Sequence, residues 1–221
     1  NSKGLKSKNL LELMGQPLIK YTLDCASNCK LIDEIAISTD SKDILQITKN
    51  LGYDNNGYIR PDSLAEDNTP KVDAIKHLVE FYENKKNFYP DIIVDLDIGV
   101  PLRKANDIEE SIIKLHSDKN MDTLVTVYES DRNPYFNMIE KKSNDYYSLV
   151  KFPNPVVHRR QDAPKVYNIT PAIFAWKRDK LDIKHLYKGN WGIHIMPIER
   201  SIDIDTKFEY DLINFLLNNE K

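Results

Sequence analysis

The sequence predicts an α/β fold in which a mostly parallel sheet is flanked by helices and carries a small β-rich insertion. Apolar runs rich in branched residues alternate with helical patterns, which is typical of β-α-β units. A later segment of short aromatic and β-branched runs is broken by four prolines and interrupts this alternation. The chain of 221 residues is long enough for one sizeable core and a small appended part.

Each element is predicted from its own pattern, in chain order. A helical pattern begins near Pro17, and the runs after it predict strand 32–38, helix 41–51, strand 57–59, helix 71–82 and strand 91–96. Beyond the insertion, the expected elements are strand 172–176, strand 193–197 and helix 208–217. The last helix is expected to bury one apolar face, formed by Phe208, Leu212, Phe215 and Leu216.

The insertion divides the chain into a main α/β domain, residues 1–130 and 166–221, and an arm, residues 131–165. Exposed apolar and aromatic side chains on such an arm would suit a second subunit, so one interpretation is a homodimer formed through the arm. The other interpretation is that the arm folds back on the parent sheet. The sequence leaves both open.

Composition excludes several classes of protein. The 31 basic and 34 acidic residues give a formal net charge of −3, which argues against binding nucleic acid through a broad basic surface. No apolar run approaches the roughly 18 residues of a membrane span, and no signal peptide is visible. Cys25 and Cys29 are the only cysteines, which excludes a disulfide framework and favours a cytoplasmic setting.

Near the C-terminus, the segment Ser201-Ile202-Asp203-Ile204-Asp205 alternates apolar and acidic residues. If it is extended, the two aspartates project on one face and the two isoleucines pack behind them. Paired carboxylates suit a divalent cation such as Mg²⁺ or Mn²⁺, whose shell is usually completed by phosphate oxygens. The alternative is a solvated segment before a helix, with Asp205 or Thr206 as the N-cap.

The N-terminal segment is a second candidate for phosphate chemistry, because it is polar and rich in lysine. Its backbone amides, with Lys3 and Lys8, could cradle a triphosphate, and the alternative is a disordered basic start. No strand precedes Asn1, so we expect the chain to begin inside its first β-loop-α unit. Loops 38–40, 60–61 and 97–103 follow predicted strands and are expected at the same ligand-binding edge.

Several short motifs occur in a fixed order along essentially the whole chain. They are Ser2-Lys3-Gly4, Lys8-Asn9, Gly15-Gln16-Pro17-Leu18-Ile19, Ser38-Thr39-Asp40, Arg60-Pro61, Leu64-Ala65-Glu66-Asp67, Pro101-Leu102-Arg103, Arg159-Arg160-Gln161, Tyr167 and the acidic segment. In this order and spacing they resemble the acylneuraminate cytidylyltransferases, the CMP-sialic acid synthetase family.

The resemblance implies a Rossmann-like nucleotidyltransferase that transfers CMP from CTP to the anomeric hydroxyl of a nine-carbon 2-keto sugar acid and releases pyrophosphate. It implies catalytic roles for Lys8, Asp203 and Asp205, with the two aspartates holding Mg²⁺ or Mn²⁺. The residues implied at the nucleotide are Ser2, Lys3, Gly4, Lys8, Asn9, Arg60 and Asp67. Those implied at the sugar acid are Asp97, Arg103, Arg159, Arg160, Gln161 and Tyr167.

The chain departs from the family pattern in ways that leave alternatives open. Asp97 stands where the family has a glutamine associated with the sugar, and a carboxylate prefers a ligand that offers N–H or O–H groups. The segment 133–137 and the stretch 160–165 resemble bacterial synthetases for legionaminic acid, a diamino relative of sialic acid. Thr170-Pro171 replaces Asn-Gly, and proline removes a backbone donor. Another sugar or nucleotide, a catalytically degenerate nucleotide-binding domain, and a surface ion-pair role for Arg159 and Arg160 therefore remain alternatives.

Overall fold

The computed structural model describes residues 8–66, 68–143, 145–181 and 189–219. Within these ranges the α-helices are α1 (Leu18–Ser27), α2 (Lys42–Asn50), α3 (Lys71–Lys86), α4 (Ala105–Ser117) and α5 (Lys207–Asn219). The helices expected near Pro17 and at 41–51, 71–82 and 208–217 are confirmed, whereas α4 was not predicted. Among the described residues, no helix is both long enough and apolar enough to cross a membrane.

The strands form one central sheet and two small hairpins. They are β1 (Glu12–Leu13), β2 (Gln16–Pro17), β3 (Ile92–Asp95), β4 (Thr123–Glu129), β5 (Ile139–Lys141), β6 (Tyr147–Leu149), β7 (Tyr167–Lys177) and β8 (Trp191–Ile195). The central sheet has the order β3-β7-β4-β8. Strands β4 and β8 pair in parallel, and β7 pairs antiparallel with both β3 and β4. Strands β3, β4 and β8 therefore point the same way, and β7 is the reversed strand.

Helices cover both faces of the sheet, as β7 shows most clearly. Because successive side chains of a strand point to opposite faces, Ile173 packs in the cluster that contains Ile108 of α4, while Trp176 packs with Val72 and Ile75 of α3. Burial on both faces explains why β7 reads as an almost continuous apolar run. The α/β fold predicted from the sequence is confirmed.

The apolar face predicted for α5 is wrong. The helix buries Ile213 and packs it, with Tyr210 and Leu217, against Leu13 and Ile204. Phe208 is 72% exposed, and Phe215 is exposed as well. The aromatic side chains made the other face look like the core, but the contact is made with Leu13 of β1, which is distant in sequence, and with Ile204 just before the helix.

The strands predicted at 32–38 and 57–59 are absent from the described sheet, and the local hydrogen bonds give the reason. The side chain of Asn55 takes the place of a neighbouring strand, since its Nδ2 donates to the Ile37 carbonyl at 2.7 Å and its Oδ1 accepts the Ile37 N–H at 2.9 Å. The same amide group donates to the Tyr58 carbonyl. These segments therefore run beside each other as irregular chain.

The arm contains the antiparallel pair of β5 and β6, in which Ile139 lies opposite Leu149. Its apolar side chains do not all pack inward, since Ile139, Tyr147 and Phe152 are exposed. This exposure is what an arm that contacts another molecule would show, and it disfavours close packing of these side chains on the parent sheet.

A buried ion pair joins α3 to the turn after β7. Arg178 donates through Nε and Nη2 to the two carboxylate oxygens of Glu83, with the Nη2 contact at 2.8 Å. The side chains are 29% and 11% exposed, respectively. Hydrogen bonding to Arg178 lowers the pKa of Glu83 below its ordinary value of 4.5.

We predict that Glu83→Gln lowers the free energy of unfolding by about 2 kcal/mol at neutral pH, because it removes a bidentate charged contact. A carboxyl group with a lowered pKa contributes stability above its ordinary pKa, and that contribution is lost as the pH falls through the folded value. The difference between the two proteins should therefore shrink below about pH 4.5. Urea unfolding at several pH values measures it, and a difference that does not change with pH would contradict the explanation.

Candidate active site

The acidic segment alternates in the structure as the sequence predicts. Ile204 is fully buried and Ile202 packs beside it in the cluster with Leu13 and Leu18, while the two aspartates turn to the opposite side. The segment is not part of the sheet, and its Ile204 N–H donates to the Gly99 carbonyl at 2.9 Å. This bond fixes the acidic segment beside the loop that follows β3.

The capping alternative is also realised, but by Thr206. Its Oγ1 accepts the Phe208 N–H at 3.2 Å, and the Glu209 carboxylate accepts the Thr206 N–H at 2.8 Å. This reciprocal pattern is a capping box at the start of α5. Asp203 and Asp205 are therefore free of capping and can act together.

Lys8 lies between the two aspartates. Its Nζ is 2.6 Å from Oδ1 of Asp203 and 3.1 Å from Oδ1 of Asp205. Burial lowers the pKa of Lys8, but the contacts with both carboxylates outweigh this effect, and the net shift is upward. Burial and the charges of Asp97 and Asp205 raise the pKa of Asp203 more than Lys8 lowers it. The negative charges of Asp97, Asp203 and Asp205 thus lie close together, and the single positive charge of Lys8 does not fully balance them.

Gly99 makes this close arrangement possible. A Cβ atom at this position would lie 2.0 Å from Oδ1 of Asp203 and 2.5 Å from Nζ of Lys8. Any larger residue would push the carboxylate and the ammonium group apart. Sequence reasoning included Gly99 in a loop but gave it no role, because the reason for a glycine lies in a segment about a hundred residues further along the chain.

A second set of charges lies on the same loop. Asp97 accepts the Gly99 N–H at 2.9 Å through Oδ1, and its Oδ2 is 3.4 Å from Nζ of Lys71, which also pairs with Asp95 at 2.7 Å. Burial raises the pKa of Asp97, but Lys71, the Gly99 N–H and Lys8 lower it further, and the net shift is downward. Sequence reasoning missed Lys71, whose only local signal is a cation in the first turn of α3.

A cleft of about 1270 Å³ extends from these charges. Residues 31–41 line one wall and residues 91–98 line the other, and Asn9, Arg60 and Lys71 contribute to the lining. Arg60 is held at the wall, since its Nε donates to Oγ of Ser38 at 3.0 Å and its Nη2 donates to the Ser38 carbonyl. Asn9, Arg60 and Asp97, which the sequence singled out, thus line one cavity.

Arg103 requires a correction, because its guanidinium does not face the cleft. The residue is 4% exposed, Nη2 donates to Oγ1 of Thr22 at 2.9 Å, and Nη1 donates to the carbonyls of Asp97 and Ala172. Burial lowers the pKa of its guanidinium. These bonds tie α1, the loop after β3 and β7 together, so the described structure places Arg103 as a support behind the site.

Thr170 and Pro171 lie in an irregularity of β7 next to the site. The register between β4 and β7 shifts between Val125 and Val127, and Oγ1 of Thr126 fills the gap by bonding to the carbonyls of Thr170 and Ile173. Proline is tolerated at such bulges, where no ladder N–H is needed. Thr170 also donates through Oγ1 to the Ser201 carbonyl at 3.0 Å, so it helps to hold the acidic segment.

The remaining predicted sugar residues lie elsewhere. Arg159 pairs with Asp162 at 2.8 Å, and Arg160 pairs with Asp131 at 3.0 Å, both on the exposed arm. Gln161 is exposed in the same turn, and Tyr167 begins β7 opposite Glu129. Within one chain, no described contact joins these residues to Asp203. Ser2, Lys3, Gly4 and Asp67 lie outside the described residues.

The donor set fits a divalent cation. Lys8 is itself a cation between two carboxylate oxygens, so it marks the position where positive charge is stabilised. Asp95, Asp97, Asp203 and Asp205 with Lys8 and Lys71 carry a formal net charge of −2. In the part of the chain that the structure describes, no three His, Cys, Asp or Glu side chains form a ready metal cage. A cation here would therefore share its shell with ligand oxygens or water.

A cleft at the edge of an α/β sheet, next to paired carboxylates and lysines, defines an enzyme that handles the phosphates of a nucleotide. The family model described as Cytidylyltransferase matches residues 1–211, and the chain belongs to this family.

Individual relatives agree with this membership. The chain is 31% identical to post-translational flagellin modification protein B of Campylobacter coli, over 99% of this chain and 92% of that protein. It is 32% identical to CMP-N,N'-diacetyllegionaminic acid synthase of Campylobacter jejuni, over 98% of this chain and 91% of that protein. A solved CMP:2-keto-3-deoxy-manno-octonic acid synthetase, complexed with CTP, superimposes with a TM-score of 0.70 at 17% identity, covering 100% of this chain and 95% of that chain, which shows the shared fold.

We predict that Gly99→Ala reduces cytidylyltransferase activity at least about 100-fold, because the added Cβ displaces Asp203 and Lys8 from their joint position. Gly192→Ala is the matched control, since its Cβ would meet the flexible side chain of Met121 and not the site. Steady-state rates and melting temperatures of both variants are the measurements. Wild-type activity in folded Gly99→Ala would contradict the assigned geometry.

Proposed function

We propose that the protein transfers CMP from CTP to the anomeric hydroxyl of a nine-carbon 2-keto sugar acid and releases pyrophosphate. The observation that carries this proposal is the cluster of Lys8, Asp203 and Asp205, which lies against Gly99, two residues from Asp97 in the lining of the cleft. Membership of the cytidylyltransferase family supports the reaction type, and the legionaminic acid relative supports the class of sugar.

The nucleotide would occupy the cleft. Asn9 and Arg60 line it, and the fixed guanidinium of Arg60 offers donors there at little entropic cost. Ser2, Lys3, Gly4 and Asp67 are proposed to complete this nucleotide site on the strength of the family motif alone. Asn9 lines the cleft, and the adjacent residue Lys8 contacts the two carboxylates, so the cleft and the carboxylates are neighbours.

Catalysis would depend mainly on position and charge. The sugar hydroxyl attacks the α-phosphorus, a new O–P bond forms, the bond to the pyrophosphate group breaks, and the hydroxyl proton passes to a phosphate oxygen. This requires that the triphosphate be fixed and its charge spread. Asp203 and Asp205 would hold Mg²⁺ or Mn²⁺, which neutralises phosphate charge when bound. Lys8 would then turn its ammonium group from the carboxylates to the phosphates.

The sugar acid would be recognised near Asp97. One oxygen of Asp97 accepts the Gly99 N–H and the other lies beside the ammonium group of Lys71. Asp97 therefore presents an ionised hydrogen-bond acceptor with a cation next to it. A diamino sugar acid of the legionaminic type offers N–H groups to such an acceptor, which is why we favour it. The runner-up is another sugar or nucleotide on the same fold.

We also propose that the arm forms a homodimer and that its residues Arg159, Arg160 and Gln161, with Tyr167 at the start of β7, reach the sugar site of the partner subunit. The support is the exposure of Ile139, Tyr147 and Phe152 on the arm, together with the ion pairs of Arg159 and Arg160, whose partners Asp162 and Asp131 lie in the arm and not at the Asp203 cluster. A cytoplasmic setting is proposed because Cys25 and Cys29 are free thiols.

The test of function is pyrophosphate release with Mg²⁺ across the four nucleoside triphosphates and a panel of sialic, legionaminic, pseudaminic and Kdo acids. We predict release with CTP and a nine-carbon acid, and a loss of at least about 1000-fold in Asp205→Ala, because half of the metal-binding pair is removed. Lys207→Ala, an exposed ion-pair residue two positions on, is the control and should keep its rate.

Two results would count against the proposal. Absence of release with every pair would favour a degenerate binding domain, and full activity of Asp205→Ala would refute the metal role.

We predict that Ile139→Ser combined with Phe152→Ser shifts the protein from dimer to monomer and lowers the rate, because both apolar contacts and the partner's arm are lost. Phe208→Ser on α5 is the matched control, since Phe208 is as exposed as Phe152 but lies outside the arm. Sedimentation velocity gives the mass. A wild-type protein that sediments as a monomer would overturn the homodimer.

A further inference from the structure

The acidic segment is held by individual bonds and not by a sheet. Besides the Ile204 N–H bond to the Gly99 carbonyl, Oγ1 of Thr170 donates to the Ser201 carbonyl and Oγ of Ser201 donates to the Pro197 carbonyl, at 3.0 and 2.9 Å. Such a segment has no ladder to fix it. The positions of Asp203 and Asp205 therefore depend on whatever anchors the residues that precede them.

The charged anchor is an ion pair between Arg200 and Asp107. Asp107 is 1% exposed, and its Oδ1 accepts from Nη2 of Arg200 at 2.7 Å. Its Oδ2 accepts the Lys104 N–H at 2.9 Å, which closes the first turn of α4. Nε2 of His194 on β8 lies 3.5 Å from the same Oδ1. Asp107 thus joins α4, β8 and the turn before the acidic segment.

The pair acts on the same two pieces of chain that build the site. Helix α4 begins directly after the loop that carries Gly99, so the loop and the acidic segment are joined at two points: Gly99 to Ile204, and Asp107 to Arg200. Nε of Arg200 is buried without a hydrogen-bond partner among the described groups, so the hold of this side chain on α4 rests on Nη2.

Asp107 remains charged in this setting. Burial raises the pKa of its carboxyl, but His194, the Lys104 N–H and Arg200 lower it further, and the net shift is downward. Removing Arg200 would leave the buried carboxylate of Asp107 with only His194 and the Lys104 N–H, and an incompletely paired buried charge is destabilising. The acidic segment, which follows Arg200 and has no ladder to fix it, is the nearby element that can shift.

We infer that the Asp107–Arg200 ion pair is a positioning element that sets Asp203 and Asp205 against Gly99, so that the two carboxylates can hold one divalent cation together. Neither Asp107 nor Arg200 touches the cation. The inference rests on the metal role proposed for the two aspartates. Residues that orient metal ligands from behind typically account for about 10–100-fold in metal affinity.

The experiment compares Asp107→Asn, Arg200→Met and Arg200→Lys with the wild type in two measurements. The first is the Mn²⁺ dissociation constant, from the electron paramagnetic resonance signal of free Mn²⁺. The second is hydrogen exchange of the Ile204 amide, which reports the bond to Gly99 without any metal. We expect Asp107→Asn and Arg200→Met to weaken Mn²⁺ binding about 10-fold and to speed the exchange at Ile204. Arg200→Lys, which keeps the positive charge, should retain part of the Mn²⁺ affinity and part of the protection of the Ile204 amide.

Glu83→Gln is the matched control, because it breaks another buried carboxylate–arginine pair that has no contact with the acidic segment. Glu83→Gln should lower the melting temperature but leave the Mn²⁺ dissociation constant unchanged. The comparison therefore separates a general loss of stability from a displacement of the acidic segment. If Asp107→Asn does not fold, the two Arg200 variants decide the question.

Asp205→Ala distinguishes failure of this inference from failure of the proposed function. If Asp205→Ala loses Mn²⁺ binding while Asp107→Asn and Arg200→Met bind as the wild type does, the ion pair has only a structural role and the inference is overturned. If Asp205→Ala binds Mn²⁺ as the wild type does, the metal site itself is overturned, and the inference with it.

Discussion

The close approach of residues 201–205 to Gly99 is the constraint on which the rest of the site depends. It places two carboxylates around one ammonium group within 3.1 Å, and only a residue without Cβ leaves room for it. Like charges this close repel each other, so the arrangement persists only where the backbone is held from several sides. The bonds to Gly99, Thr170 and Asp107 provide that hold, and these three partners lie in different parts of the fold, in the loop after β3, in β7 and in α4.

Arg103 shows how the fold supports the site from beneath. A buried guanidinium is costly unless its donors are used, and here Nη1 and Nη2 bind a hydroxyl on α1 and carbonyls on the Asp97 loop and on β7, while Nε has no partner among the described groups. The bulge of β7 presents one of these carbonyls, at Ala172, and also brings Thr170 to the acidic segment. One irregular stretch of a central strand therefore serves both the loop and the carboxylates.

The cleft owes its width to another irregularity. Because Asn55 satisfies the backbone of Ile37, the segment 32–40 does not join the sheet at β3, and the space between them stays open. Asp95 and Asp97 then face that space together with Lys71 from α3. Arg60, Lys71 and Asp97 line the cleft, and Lys8 lies beside Asn9 at its margin, held by Asp203.

The sequence by itself determined the α/β class, most of the helices, strands β3, β7 and β8, and the two-sided character of residues 202–205, because apolar periodicity is local and survives in one dimension. Family motifs also pointed to Lys8, Asn9, Arg60 and Asp97. Only the tertiary structure decided that 32–38 is no strand, that Arg103 is buried, that Phe208 is exposed, and that Gly99, Lys71 and Asp107 matter. The physical reason is the same in each case: burial of a charge, a missing ladder partner and the need for a glycine are set by atoms that are distant in sequence.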